Sequence, residues 1–180
     1  MPEPTLYERV LGERYDTLPA AVRDFHRLRG SVALQGQVDC GAPASWPAAW
    51  LARSIGAPTR SCRGDLRFEL RVDPQGETWI RHFPTRTMRS RMTEVSGRLV
   101  ERLGPAVVTF HLDASPEGLR MTTTGLRFLG LPCPAWLMPT ITARETGHGE
   151  QLHFDVAAAL PWIGTIVRYQ GFLTVPHAPS

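Results

Sequence analysis

The stretch DLRFELRVDPQGETWIRHFPTRTMRSRM, Asp65 to Met92, decides how this chain folds. Leu66, Phe68, Leu70 and Val72 alternate with Arg67, Glu69 and Arg71, the period of two that marks a strand with one buried face. Asp73-Pro74-Gln75-Gly76 is a turn, and ETWIRHF resumes the alternation beyond it, so the two runs read as an antiparallel hairpin. Pro84-Thr85 then turns the chain into RTMRSRMTEV. Consecutive strands joined by tight turns make a meander, not crossovers.

The second strand poses a choice. Trp79, Arg81 and Phe83 share one face; Thr78, Ile80 and His82 share the other. Either the face with two aromatics is buried and Arg81 goes in with them, or that face is wet and Ile80 points inward. An inward guanidinium has to be paired. Glu101 in RLVERLGP is the best partner, because Leu99, Glu101 and Leu103 alternate as Trp79, Arg81 and Phe83 do, on a facing strand. Three readings of Arg81 stay open: a buried salt bridge that fixes register, an anchor at the base of a pocket for the carboxylate or phosphate of an otherwise apolar ligand, or plain exposure.

The same period continues downstream through RLVERL, AVVTFHLD, GLRMTTTGLRFL, TITARE, HGEQLHFDVAAAL and TIVRYQGFLTV, interrupted by the proline-rich GLPCPAWLMP. Upstream, SVALQGQVD is a further strand. The start is helical: Leu6, Val10 and Leu11 have helical spacing, and Asp16-Thr17-Leu18-Pro19 looks like a cap and helix-start proline before AAVRDFHRL, which Gly30 stops. SWPAAWLARSIG reads as a short helix capped by Ser45, with Trp46 and Trp50 at i and i+4, a pair expected in the core. About nine strands and two or three helices, mostly early, give an α+β, mainly antiparallel β fold. Strand twist of roughly 20–25° per neighbour curls such a meander into a strongly curved sheet or partly closed barrel. A single domain over residues 1–180 is expected, with a short tail near 177–180.

Composition limits the chemistry. All 20 basic residues are arginine, and the chain has neither lysine nor asparagine, so a lysine Schiff base, a phosphate-loop lysine and an asparagine-linked glycan are impossible. Ten arginines fall between Arg60 and Arg102 against six acids, but they alternate with apolar residues, the pattern of a solvated sheet face rather than a nucleic-acid site. Cys40, Cys62 and Cys133 are too few and too scattered for a disulfide framework and fit reduced cytoplasmic thiols. No apolar run approaches a membrane span, no segment reads as a signal peptide, and no dinucleotide or metalloprotease motif is present, so no cofactor or metal is expected.

Two further constellations stand out. His153 and Asp155 share a face opposite Leu152, Phe154 and Val156; the plain reading puts the apolar three inward, the catalytic one makes His153 a general base. His148, Glu150 and His153 tempt a metal reading, but a spacing of five puts the two histidines on opposite faces of a strand. Tyr169 is expected inward with Val167, Gly171 and Leu173, the glycine leaving room beside it for a ring or a ligand.

LYERVLG near the start, W-x-R-x-F at Trp79 to Phe83, LVERLGP at Leu99 to Pro105, LGLPCPAWLMP at Leu129 to Pro139, FDV at Phe154 to Val156 and Y-x-G-x-L at Tyr169 to Leu173 occur in one order. In this the chain resembles the bacterial family known as domain of unknown function 4166, from about Leu6 to Val175. The resemblance implies a stand-alone protein, or a domain that accompanies a nicotinamide-dependent oxidoreductase, and supplies no catalytic residue. The reading is a non-catalytic module that binds an apolar, amphipathic or acidic small molecule through Arg81, Trp79, Phe83, Glu101 and Tyr169. Its alternatives are an accessory domain docking on an oxidoreductase partner, and a cyclase-, isomerase- or hydrolase-type enzyme using Asp155 or His153 with Tyr169 and Arg81.

Overall fold

The computed structural model describes residues 3–176; the expected tail at 177–180 lies outside them. Two helices, α1 (Leu6–Leu11) and α2 (Ala20–Arg27), precede strand β1 (Ser31–Cys40), and α3 (Trp46–Ser54) separates it from β2 (Cys62–Asp73). Then follow β3 (Gly76–His82), β4 (Thr87–Val95), β5 (Arg98–Leu103), β6 (Ala106–Ser115), β7 (Gly118–Phe128), β8 (Leu131–Pro132), β9 (Thr140–His148), β10 (Gln151–Leu160) and β11 (Gly164–Thr174). These eleven strands exceed the nine or so expected. The two-residue β8 hides in the proline-rich stretch, where no alternation marks it.

Every pairing is antiparallel. β1 to β7 follow in order, β9, β10 and β11 continue the sheet, and β11 returns to β1. Ten strands thus close a barrel, with β8 outside on the edge of β7. Closure removes the free edges that an open meander would expose. The period of two decides which residues go in: on β2, Leu66, Phe68 and Leu70 are buried while Arg67 and Arg71 stay outside. In the β2–β3 turn, the Asp73 Oδ1 accepts from the Gln75 N–H at 2.9 Å, and Arg91 donates to both Asp73 oxygens at 2.6 Å. That pairing holds the Asp73 carboxyl down at about 2.

The helices close the barrel differently at its two ends. At one end Tyr7, Leu11, Val22 and Phe25 of α1 and α2 plug the interior, with Phe25 5.5 Å from both Phe68 and Trp79, ring to ring. Thr5 and Glu8 form a capping box on α1. The expected cap on α2 is absent: residues Gly12–Thr17 form a 3-10 helix, and Pro19 stands at the N-cap with no side-chain bond. At the other end α3 lies across the mouth. Its Ser45 cap accepts from the Ala48 N–H and donates to the Ile163 carbonyl at 2.8 Å. Trp46 and Trp50 are not core: α3 turns the small Ala48 and Ala52 inward, and the tryptophans, two positions away, project outward at 83% and 59% exposure.

Candidate functional site

β3 carries Trp79, Arg81 and Phe83 into the barrel, and Arg81 is only 7% exposed, which removes the solvent reading. Ile80 on the outer face is nearly covered too, flanked across the strands by Glu69 and Arg89. β3 is therefore buried on both faces, an outcome the choice between one wet and one dry face missed.

Inside, Arg81 Nη1 donates to Ser90 Oγ at 3.1 Å, and Nη2 lies 3.6 Å from Glu101 Oε1. The guanidinium carbon sits 4.9 Å from the Trp79 ring centroid, a cation–π contact. At 3.6 Å the Arg81–Glu101 contact is an ion pair and not a hydrogen bond. β3 and β5 are not neighbours. β4 runs between them and fills the gap with Ser90, so the pair spans a strand along the curved inner wall.

Tyr169 is inward on β11, its ring 5.2 Å from Phe83 and 6.0 Å from Phe154. Gly171 leaves that space: a Cβ there would come within 2.9 Å of the Phe154 ring and 2.0 Å of the Gln37 carbonyl. Burial pushes the Tyr169 hydroxyl up to about 12, against the pull of Arg81. Among the described residues neither this hydroxyl nor the Glu101 carboxylate makes a hydrogen bond, although both are more than nine-tenths buried.

Both groups border empty space. A cavity of about 340 Å³ opens under α3, walled by apolar side chains such as Leu51, Ile55, Leu126 and Val167. A smaller one of about 80 Å³ continues inward past Trp79 and Arg81. Glu101, Phe110, Ile141, Val156 and Tyr169 line both, so the interior is a chamber with an apolar body and a polar throat. Cys133 also borders the mouth, but burial raises its thiol and it points to the Leu137 carbonyl at 3.4 Å, an inert setting.

A second buried polar layer escaped the sequence reading. His26 Nε2 and Glu145 Oε2 are 2.7 Å apart, and Tyr7 stacks on the His26 ring with centroids at 3.6 Å. The Trp79 indole donates to Glu77 at 2.9 Å. Among the described residues the Tyr7 hydroxyl and His26 Nδ1 have no hydrogen-bond partner. Burial raises the Glu77 carboxyl, with His26 opposing, and raises the Tyr7 hydroxyl well above its ordinary value. Signals for part of this layer existed. Val22 and His26 are an i, i+4 pair, and Glu145 alternates with Ile141 and Ala143.

The catalytic combination is not assembled. His153 and Asp155 face the outer wall, where a shallow depression runs past Asp39, Arg63 and Arg144, while Tyr169 and Arg81 are inside. His153 meets Gln151 at 3.2 Å rather than Asp155. Contrary to the spacing argument, His148 and His153 touch, rings 5.0 Å apart, because a hairpin turn separates them and they occupy adjacent strands.

A family model described as domain of unknown function (DUF4166) matches residues 18–173. The chain belongs to this family. The W-x-R-x-F, LVERLGP and Y-x-G-x-L stretches of this DUF4166 member are the ones that place Trp79, Arg81, Phe83, Glu101 and Tyr169 inside the barrel, whereas LYERVLG on α1 precedes the matched residues. No curated protein matches. A solved structure, Rv2717c from M. tuberculosis, aligns over 88% of this chain and 99% of its own at 10% identity with a TM-score of 0.43, a likeness too loose to bear on the site.

Proposed function

We propose that this DUF4166 domain is a non-catalytic binding module whose barrel accepts an apolar or amphipathic small molecule. The observation that carries the reading is the apolar chamber of about 340 Å³ that ends on two buried polar groups without a hydrogen bond among the described residues, the Tyr169 hydroxyl and the Glu101 carboxylate, the latter held only by its ion pair with Arg81. Pockets of this size and make-up commonly hold a ligand by apolar contact and fix its orientation with a few polar groups. Arg81 stands behind Glu101, and its guanidinium is already engaged by Ser90 and the Trp79 ring. It anchors the ligand's polar end together with Glu101 and Tyr169, with Phe83 and Trp79 as supports. A head group that both donates and accepts, such as a hydroxyl, suits this throat better than a bare carboxylate, which would meet the charge of Glu101 first.

Docking on an oxidoreductase is the second reading, favoured by the exposed tryptophans around the mouth. The test of the first is mass spectrometry of the organic extract of purified protein, beside the variant Ala158→Phe, which fills the chamber without touching a polar group. An apolar compound enriched with the wild type and lost from the variant supports the reading. A compound carried equally by both is not held in the chamber and counts against it.

A further inference from the structure

The rim of the chamber has a composition that the binding reading does not explain. Strand pairing puts the end of β1, the start of β2, the β3–β4 and β5–β6 turns, the end of β7 and the β10–β11 turn together at the mouth. From these segments and from α3 project Trp46, Trp50, Leu129, Leu131, Trp136 and Trp162, every one more than half exposed and Trp162 85% exposed. Two contacts tie parts of this rim together. The Trp136 and Trp162 rings are 6.2 Å apart, and Ser45 at the head of α3 is bonded to Ile163 beside Trp162. Four of the chain's five tryptophans are here; the fifth, Trp79, is buried.

The loops and turns at this end carry charge of one sign, and Asp39, one rung below on β1, is paired with Arg63. Residues 41–61, 83–87, 103–106, 126–141 and 160–164 include Arg53, Arg60, Arg86 and Arg127 and not one aspartate or glutamate. None of these four arginines is in an ion pair among the described residues. The turns at the opposite end carry Asp73, Glu117 and Glu150. A protein interface mixes charges to match a partner of fixed pattern, with its anchors in a packed centre. Tryptophan at the margin of an apolar surface, with unpaired arginine and no acid, is instead the composition of a surface that sits among anionic lipid head groups.

We propose that the mouth end docks peripherally on an anionic lipid bilayer, with the four tryptophans at head-group depth and the arginines against lipid phosphates. The docking stands whether or not the chamber binds a ligand. If it does, the opening faces the phase in which an apolar molecule dissolves.

The test uses the full chain with vesicles of phosphatidylcholine and phosphatidylglycerol in equal parts, against phosphatidylcholine alone. The wild type is expected to sediment with the mixed vesicles, its tryptophan emission shifting to the blue and quenched by brominated acyl chains. Pure phosphatidylcholine and high salt should weaken the association, each lost arginine contact by about fivefold. Replacing the four rim tryptophans by serine should lower affinity by about tenfold or more while Trp79 emission stays that of a buried indole. Should that variant fold poorly, Trp162→Asn alone, on the exposed turn, serves with a smaller loss. A wild type that ignores mixed vesicles, or tryptophan variants that bind them equally, overturns the proposal. The first of these results would hand the rim to a protein partner. Neither affects the chamber, which the extract experiment reads separately.

Discussion

Arg81 shows what a single residue does to this barrel. A guanidinium in an apolar interior is tolerable only with partners, and removing one member of a buried pair costs about 3 to 5 kcal/mol because the other charge is left uncompensated. Arg81→Met is therefore expected to lower the urea midpoint sharply by stranding Glu101. Arg67→Met, on the wet outer wall beside Glu69, should leave it in place. The double variant Arg81→Met, Glu101→Met should recover part of the loss; equal midpoints for Arg81→Met and Arg67→Met would contradict the buried pair. Glu77 gives the pH-dependent counterpart. Burial raises its carboxyl in the folded state, so the folded chain holds that proton more readily than the unfolded one. Stability from this group is full below the ordinary carboxylate range and falls as pH rises through the raised value. Glu77→Gln keeps an acceptor for the Trp79 indole and removes the titration. The variant should melt higher than wild type at about pH 7 and no higher at about pH 4, as followed by calorimetry.

At the scale of elements, closure depends on how near β1 and β11 approach. Gly36 and Gly171 face each other's strands so closely that a Cβ would fall 1.7 Å from the Phe172 carbonyl and 2.0 Å from the Gln37 carbonyl. Backbone cannot yield as a flexible side chain can, so Gly171→Ala should destabilise by about 1–3 kcal/mol or more, read as a fall in melting temperature. An unchanged melt would mean the two strands do not cross there. This closure was not legible in the sequence. Alternation says which residues of a strand share a face, and it grouped Arg81 with Trp79 and Phe83, Glu101 with Leu99 and Leu103, and Tyr169 with Leu173, but it left the face of Arg81 open and does not name the strand that pairs with β1. For the same reason Glu101 was read as facing Arg81 from an opposed strand, with no hint that β4 and Ser90 come between. The tryptophans of α3 went wrong through size: bulk suggested burial, whereas close approach of a helix to a sheet selects Ala48 and Ala52 for the contact.

The whole molecule is graded along the barrel axis. Helices α1 and α2 seal one end over Glu145, Arg81 and Glu101 form a charged middle, and an apolar chamber opens under α3 to an aromatic rim whose loops and turns carry no acid. No helix among the described residues is long and apolar enough to cross a membrane. This grading is a property of the closed ring, which brings turns from all along the chain to one mouth. The measurement that tests it most directly is calorimetric titration of decan-1-ol into the wild type and into Ala158→Phe. Saturable one-to-one binding with a negative heat-capacity change, abolished in the variant and weakened in Glu101→Gln, is the predicted result. No saturable heat with the wild type, or equal binding by Ala158→Phe, would contradict a ligand chamber in this barrel.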